Sequence, residues 1–128
     1  AGSHGSTFGG NPLAMAVAES VLDTMLEEGF LDNVQRIAGL MNQRLGAIAD
    51  AHPGVIEEVR GLGLLIGLKC VVPAGDVIDA LREDGLLTVG AADNVVRFLP
   101  PIIIDESQVD SAVQILDGVC GRLGGSSA

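Results

Sequence analysis

Three places in the chain carry residue types that do chemistry at the spacing found there. His4-Gly5-Ser6-Thr7-Phe8-Gly9-Gly10-Asn11-Pro12 sets two hydroxyls and two adjacent glycines ahead of a helix start. Glycines let backbone N–H groups approach a ligand closely, and Ser6 and Thr7 add hydroxyl donors. The helix that Pro12 opens contributes the positive end of its dipole. That is a phosphate cradle in principle, although it lacks the lysine of a Walker A loop. The same residues also make a polar linker capped by Asn11, and His4 reads equally as a solvated histidine. On the residues alone both readings stand.

The second place is Arg97, which interrupts the apolar run Val95-Val96-Arg97-Phe98-Leu99 on one strand face with Val95 and Leu99. A guanidinium so placed either snorkels off a sheet edge or grips a carboxylate or phosphate with both arms of its fork. The Pro100-Pro101 pair after it fixes the exit of the strand. The third place is Lys69, the single lysine, within an apolar strand. A desolvated amine can attack carbonyl groups, and the plainer reading is a lysine reaching for solvent from a strand end.

Other signals are weaker. Arg60-Gly61-Leu62-Gly63-Leu64-Leu65-Ile66-Gly67 contains G-x-G, but its third glycine falls one residue late for a dinucleotide fingerprint. A strand continues where that fingerprint needs a helix. The segment reads as a glycine-relieved bend with close backbone packing at Gly67. His4 and His52 are the only histidines, too few for a histidine-based triad or metal cluster. Cys70 and Cys120 lack metal-type spacing and read as small core hydrophobes in a reducing compartment, with a disulfide between them left open. The adjacent acids Glu27-Glu28, Glu57-Glu58 and Glu83-Asp84 read as solvated element ends.

These residues must be held by elements whose periodicity is legible. Asn11-Pro12 caps a first helix with Ala14, Ala18, Val21, Leu22 and Met25 at helical spacing, closed by Gly29. A second carries Leu31, Val34, Ile37, Ala38, Met41, Leu45 and Ile48 and stops before His52-Pro53-Gly54. Residues 55–60 and 64–72 are β-rich and flank Gly61-Leu62-Gly63. A short helix over 76–84 is closed by Gly85. Residues 86–89 and 95–99 pair around 90–94. Asp105 and Gln108 make a capping box for the last helix, with Val109, Ala112, Val113, Leu116, Val119, Cys120 and Leu123 as its buried stripe. This order predicts an α+β sandwich: a small antiparallel or mixed sheet with helices over one face. The first helix and its loop are expected to belong to a different unit from residues 30–123.

At 128 residues the length suits one domain. Seventeen acids against seven Arg and Lys give a net charge of −10, and there is no Trp or Tyr. A nucleic-acid partner needs a basic footprint and aromatic platforms, so that class is excluded. No apolar run suits a membrane span and no secretory leader is visible, so a cytoplasmic location is expected.

Taken together, HGSTFGGNPLAMAVA, VRGLGLLIGL and VVRFLPPIII, in this order and spacing, resemble the C-terminal part of a class III aminotransferase, closest to the acetylornithine aminotransferase group. The resemblance covers the chain up to Leu123. It implies the type I fold of pyridoxal-phosphate enzymes, an α/β class overall. Residues 1–29 would be the end of the large cofactor-binding domain, 30–123 the C-terminal small domain and 124–128 a flexible tail. Thr7, with Ser6 beside it, would contact the cofactor phosphate in the neighbouring subunit of a homodimer. Arg97 would bind the α-carboxylate of the amino-acid substrate.

The activity so implied moves an amino group between N-acetylornithine and 2-oxoglutarate in arginine biosynthesis, with pyridoxal 5'-phosphate as cofactor. Succinylornithine, ornithine or 4-aminobutyrate are the alternatives within the family. A non-catalytic α+β binding or dimerisation module is the alternative outside it. The lysine that carries the cofactor in this family lies upstream of the threonine motif, and Lys69 matches no catalytic position. No catalytic residue is therefore assigned, and the chain alone is expected to be an inactive C-terminal fragment that retains no cofactor.

Overall fold

The computed structural model describes residues 5–125, so His4 and residues 126–128 of the expected tail lie outside the described residues. The elements are α1 Pro12–Met25, α2 Phe30–Ala51, β1 Ile56–Leu62, β2 Leu65–Cys70, α3 Ala74–Glu83, β3 Val89–Ala91, β4 Val95–Phe98 and α4 Glu106–Gly125. Two compact units divide the chain, Ala1–Asn33 and Val34–Ala128, and α2 begins in the first and continues into the second.

In the first unit the predicted cap forms. The Asn11 side chain accepts from Ala14 N at 2.9 Å, and its Nδ2 donates to Phe8 O at 2.7 Å, tying the loop to the helix it starts. Proline follows as the first helical residue, where its missing N–H costs nothing. Helix α1 ends at Met25, four residues before Gly29. Leu26 N–H bonds Leu22 O, Glu27 N–H bonds Thr24 O, and Gly29 at φ +80° turns the chain into α2. No residue of α1 is buried; Leu13, Met15, Val17, Val21 and Leu22 are all exposed.

The second unit is built on one four-stranded sheet of order β1-β2-β4-β3, with every pairing antiparallel. Alternation puts Ile56, Ile66, Leu68, Cys70, Val96 and Phe98 into the core. Arg60, Gly67, Lys69 and Arg97 fall at the intervening positions, on the opposite face. The stripes of α2, α3 and α4 close over the first face: Ile37, Met41, Leu45 and Ile48 from α2, Val77 and Leu81 from α3, and Val109, Leu116, Val119 and Cys120 from α4. Burial of each such side chain stabilises the fold by roughly 1.5–3 kcal/mol. The capping box is present: Gln108 N–H donates to Asp105 Oδ1 at 2.9 Å, and Asp105 N–H donates to Gln108 Oε1 at 3.1 Å. Helix α4 runs on through Gly124 and Gly125, two residues assigned to the tail from their composition.

The β1–β2 connection is a two-residue turn. Leu62 faces Leu65, and Gly63 takes φ +59° at the first loop position, as a primed hairpin turn requires. Strand β3 starts at Val89, so the expected strand over 86–89 begins three residues late. Leu86 N–H instead bonds Leu81 O, which binds this stretch to the end of α3. Among the described residues no helix is long and apolar enough to cross a membrane, and no group of three His, Cys, Asp or Glu side chains could hold a metal ion.

Candidate functional site

Arg97 lies on β4, an inner strand flanked by β2 and β3. Register sets Arg60, Gly67, Arg97 and Val89 in one row across the sheet, on the face away from the helices. Residues directly opposite share a face, so the missing side chain at Gly67 leaves a trough between the two arginines. A Cβ on Gly67 would come within 2.9 Å of Val95 Cγ1, so the position has no room for one. The trough opens into a cleft of about 570 Å³ lined by Arg60, Gly61, Leu65, Gly67, Val95 and Arg97 among others. A second pocket of about 260 Å³, formed by Leu87, Thr88, Val89 and Leu99, touches the other side of Arg97.

The ion pairs single this residue out. Arg36 pairs with Glu106, Arg44 with Asp110, Arg82 with Asp79 and Arg122 with Asp84. Arg60 and Lys69 share Asp93, at 3.3 and 2.6 Å. Of the seven Arg and Lys side chains, Arg97 is the one with no carboxylate or other polar partner among the described residues. An exposed guanidinium on an apolar-flanked strand has all five donors free for a planar anion.

Lys69 does not reach solvent freely. Its Nζ donates to both Oδ1 and the main-chain oxygen of Asp93, so its donors are committed to that turn. Two of the adjacent acids are also engaged: Asp84 accepts from Arg122 at 2.6 Å, and Glu58 lies 3.9 Å from Arg60. Both cysteines are free and buried. Burial raises the Cys70 thiol and pushes Cys120 up to about 12, so neither is a thiolate at neutral pH.

In the first unit Ser6 and Thr7 are exposed, and neither hydroxyl has a partner among the described residues. The loop folds tightly, since a Cβ on Gly9 would meet the Ser6 Cβ at 3.1 Å. Asn11 is committed to its cap and to Phe8, leaving the two hydroxyls as the loop's free side-chain donors. No acid occurs in residues 1–18. Two unpartnered hydroxyls beside a helix N-terminus, in an acid-free segment, fit a phosphate group. Thr7 and Ser6 thus belong to one unit and Arg97 to the other.

Two residues of the site were not singled out by sequence. Asp93 and Asn94 both take positive φ, 69° and 56°, in the turn that launches β4. Asp-Asn between two apolar runs is a signal for that conformation. The Lys69 hydrogen bond, then its charge, then the Arg60 hydrogen bond hold the Asp93 carboxyl below the ordinary value. The Ser107 hydroxyl and the Gln108 N–H do the same for Asp105. The unfolded carboxyl titrates near ~3.9. Each pair's contribution is therefore complete above that value and disappears as pH falls through the lower folded one. Asp93→Asn, which tolerates the turn, should lower the denaturation midpoint at pH 7 and respond less than the parent to a shift from pH 5 to pH 2. Equal acid sensitivity in urea titrations would exclude the pair as a source of it.

Residues 1–120 match the family described as Aminotransferase class-III. The chain belongs to the class-III aminotransferases. Among relatives of this family, acetylornithine aminotransferase 1 of Bradyrhizobium diazoefficiens is 56% identical over 125 residues, covering 98% of this chain and 31% of that protein. The solved acetylornithine aminotransferase of Elizabethkingia anophelis superposes with a TM-score of 0.82 at 33% identity, over 95% of this chain and 33% of that one. The ornithine aminotransferase of Toxoplasma gondii, described with partial occupancy of PLP at its active site, gives 0.82 at 31% identity, over 98% and 30%. The chain thus spans about a third of the length of the aminotransferases it matches.

Proposed function

We propose that this chain is the C-terminal portion of an aminotransferase that moves an amino group between N-acetylornithine and 2-oxoglutarate. Residues 1–29 are the end of its large domain and 30–123 its small domain. The observation that carries the reading is Arg97, the one Arg or Lys side chain without a partner among the described residues, set in an open cleft on an inner strand. N-acetylornithine gives up its terminal δ-amino group, remote from its own carboxylate, whereas 2-oxoglutarate, and the glutamate it becomes, carry a carboxylate next to the reacting carbon. A guanidinium fork on a paired strand fixes that carboxylate in position and plane, so that the reacting carbon is held in place.

Pyridoxal phosphate, when bound, supplies the electron sink that lets nitrogen leave one carbon and join another. Thr7 and Ser6 donate their hydroxyls to its phosphate, and the α1 N-terminus favours the charge. In a homodimer this loop serves the neighbouring subunit's cofactor. The carboxylate next to the reacting carbon belongs to 2-oxoglutarate and glutamate, so Arg97 serves the half of the reaction in which the acceptor takes up the amino group. A cytoplasmic location and a place in arginine biosynthesis accord with these substrates.

The test uses the full-length enzyme that contains this chain. N-acetylornithine is expected to exceed succinylornithine, ornithine and 4-aminobutyrate in kcat/KM by at least about tenfold, a gap of ~1.4 kcal/mol in transition-state binding. If succinylornithine, ornithine or 4-aminobutyrate is the best donor, the reading is wrong.

A further inference from the structure

Arg97 faces the open side of the sheet only in one register of β4, and register is what the neighbouring turn controls. A one-residue slip of β4 on β2 would exchange the two faces, bringing Val96 opposite Gly67 and turning Arg97 toward the helices. The far end of β4 cannot resist a slip, because Pro100 and Pro101 have no N–H to donate. Strand β3, its outer partner, is three residues long. The near end is different. Asn94 Nδ2 donates to Cys70 O at 2.7 Å and to Val72 O at 2.9 Å, while Asn94 Oδ1 accepts from Ala74 N at 2.8 Å. Its main-chain oxygen also accepts from Cys70 N at 3.0 Å.

One side chain thus binds the start of β4 to the end of β2 and to the first turn of α3. Both amide hydrogens are used, so aspartate cannot replace it. Its φ of 56° further restricts the position to Asn, Asp or Gly. Beside it, Lys69 reaches from β2 to clasp Asp93, adding a second tie across the same pair of strands.

We infer that Asn94, with Asp93 beside it, is the positioning residue that pins the β2–β4 register and thereby aims Arg97 at the substrate carboxylate. This rests on the carboxylate role proposed for Arg97. The test is a double-mutant cycle in the full-length holoenzyme. Asn94→Gly keeps the turn conformation and removes the latch, and Asn94→Asp keeps the acceptor and removes both donors. Each should raise KM for 2-oxoglutarate about tenfold, with kcat within about threefold, as loss of uniform substrate binding does. In the Arg97→Ala background Asn94→Gly should add no further rise, because the group it positions is gone.

Asp105→Ala, which removes the α4 cap on another part of the domain, controls for general loss of stability and should leave that KM unchanged. A tenfold rise from Asn94→Gly that persists in the Arg97→Ala background would overturn the inference. So would unchanged KM in both Asn94 variants while Arg97→Ala raises it. If Arg97→Ala itself leaves KM unchanged, the carboxylate role falls first and this inference falls with it.

Discussion

Replacing Arg97 with alanine in the full-length enzyme is expected to lower kcat/KM for 2-oxoglutarate by about 10²–10³-fold. Truncating one partner of a hydrogen-bonded charge pair costs roughly 2–5 kcal/mol, much of it from the charge left without a partner. At 1.36 kcal/mol per decade that interval covers the expected loss. The N-acetylornithine half-reaction should lose less, since the carboxylate of that donor is remote from its reacting δ-carbon. Arg97→Lys keeps the charge but loses the planar fork, and should recover about a decade of the loss. Stability should change by no more than ~0.5 kcal/mol, because the side chain is exposed and makes no internal bond. Steady-state kinetics with both substrates check this, and an alanine variant within threefold of the parent would remove Arg97 from the site.

The second large effect is structural. Gly61 sits at φ +150°, opposite Ile66 in the β1–β2 hairpin. A Cβ there would run into the Leu65 carbonyl oxygen and lie 2.9 Å from Ile66 Cα. Both are backbone atoms of the partner strand, so no rotamer change can make room. Gly61→Ala is expected to cost at least ~3 kcal/mol, combining strain at a forbidden φ with a forced opening of the ladder. For a domain of this size that is a fall of roughly 12–20 °C in Tm. Gly67→Ala should cost less, about 1–3 kcal/mol, because the atom it meets is the tip of the Val95 side chain. Gly63→Ala meets open space and should cost only about 1 kcal/mol from its φ of +59°. Urea denaturation of the three variants checks the order, and Gly61→Ala as mild as Gly63→Ala would contradict the hairpin geometry.

What the residues revealed beforehand depended on whether the cause was local. The α2 stripe from Ile37 to Ile48, the Asp105–Gln108 cap and the Asn11-Pro12 helix start all formed as read, because periodicity and capping act within one or two turns. Strand β3 was misplaced because the backbone of Leu86 is claimed by α3, a tertiary choice its β-rich composition does not encode. The helical tail at Gly124-Gly125 was lost to composition in the same way. In the site, Arg97 was visible as a charge within an apolar run, but its isolation was not. That became apparent only with the other six Arg and Lys side chains paired, five of them to acids in distant parts of the chain. Asn94 shows the limit most clearly. Its type and place announce a turn, while the three bonds that make it a latch run to residues about twenty positions upstream.

The order β1-β2-β4-β3 has a consequence for motion. Strand β4 is held on both sides, so the backbone bearing Arg97 can move only if two ladders open together. The outermost strand, β3, is short enough to fray alone, and such opening detaches Val89 while leaving the Gly67 pairing whole. Amide protons of Val96 and Phe98 should therefore exchange with solvent far more slowly than those of Gly90, with the slowest approaching the global unfolding limit. Restlessness in this sheet is confined to its rim, and the arginine stands on the part that stays still.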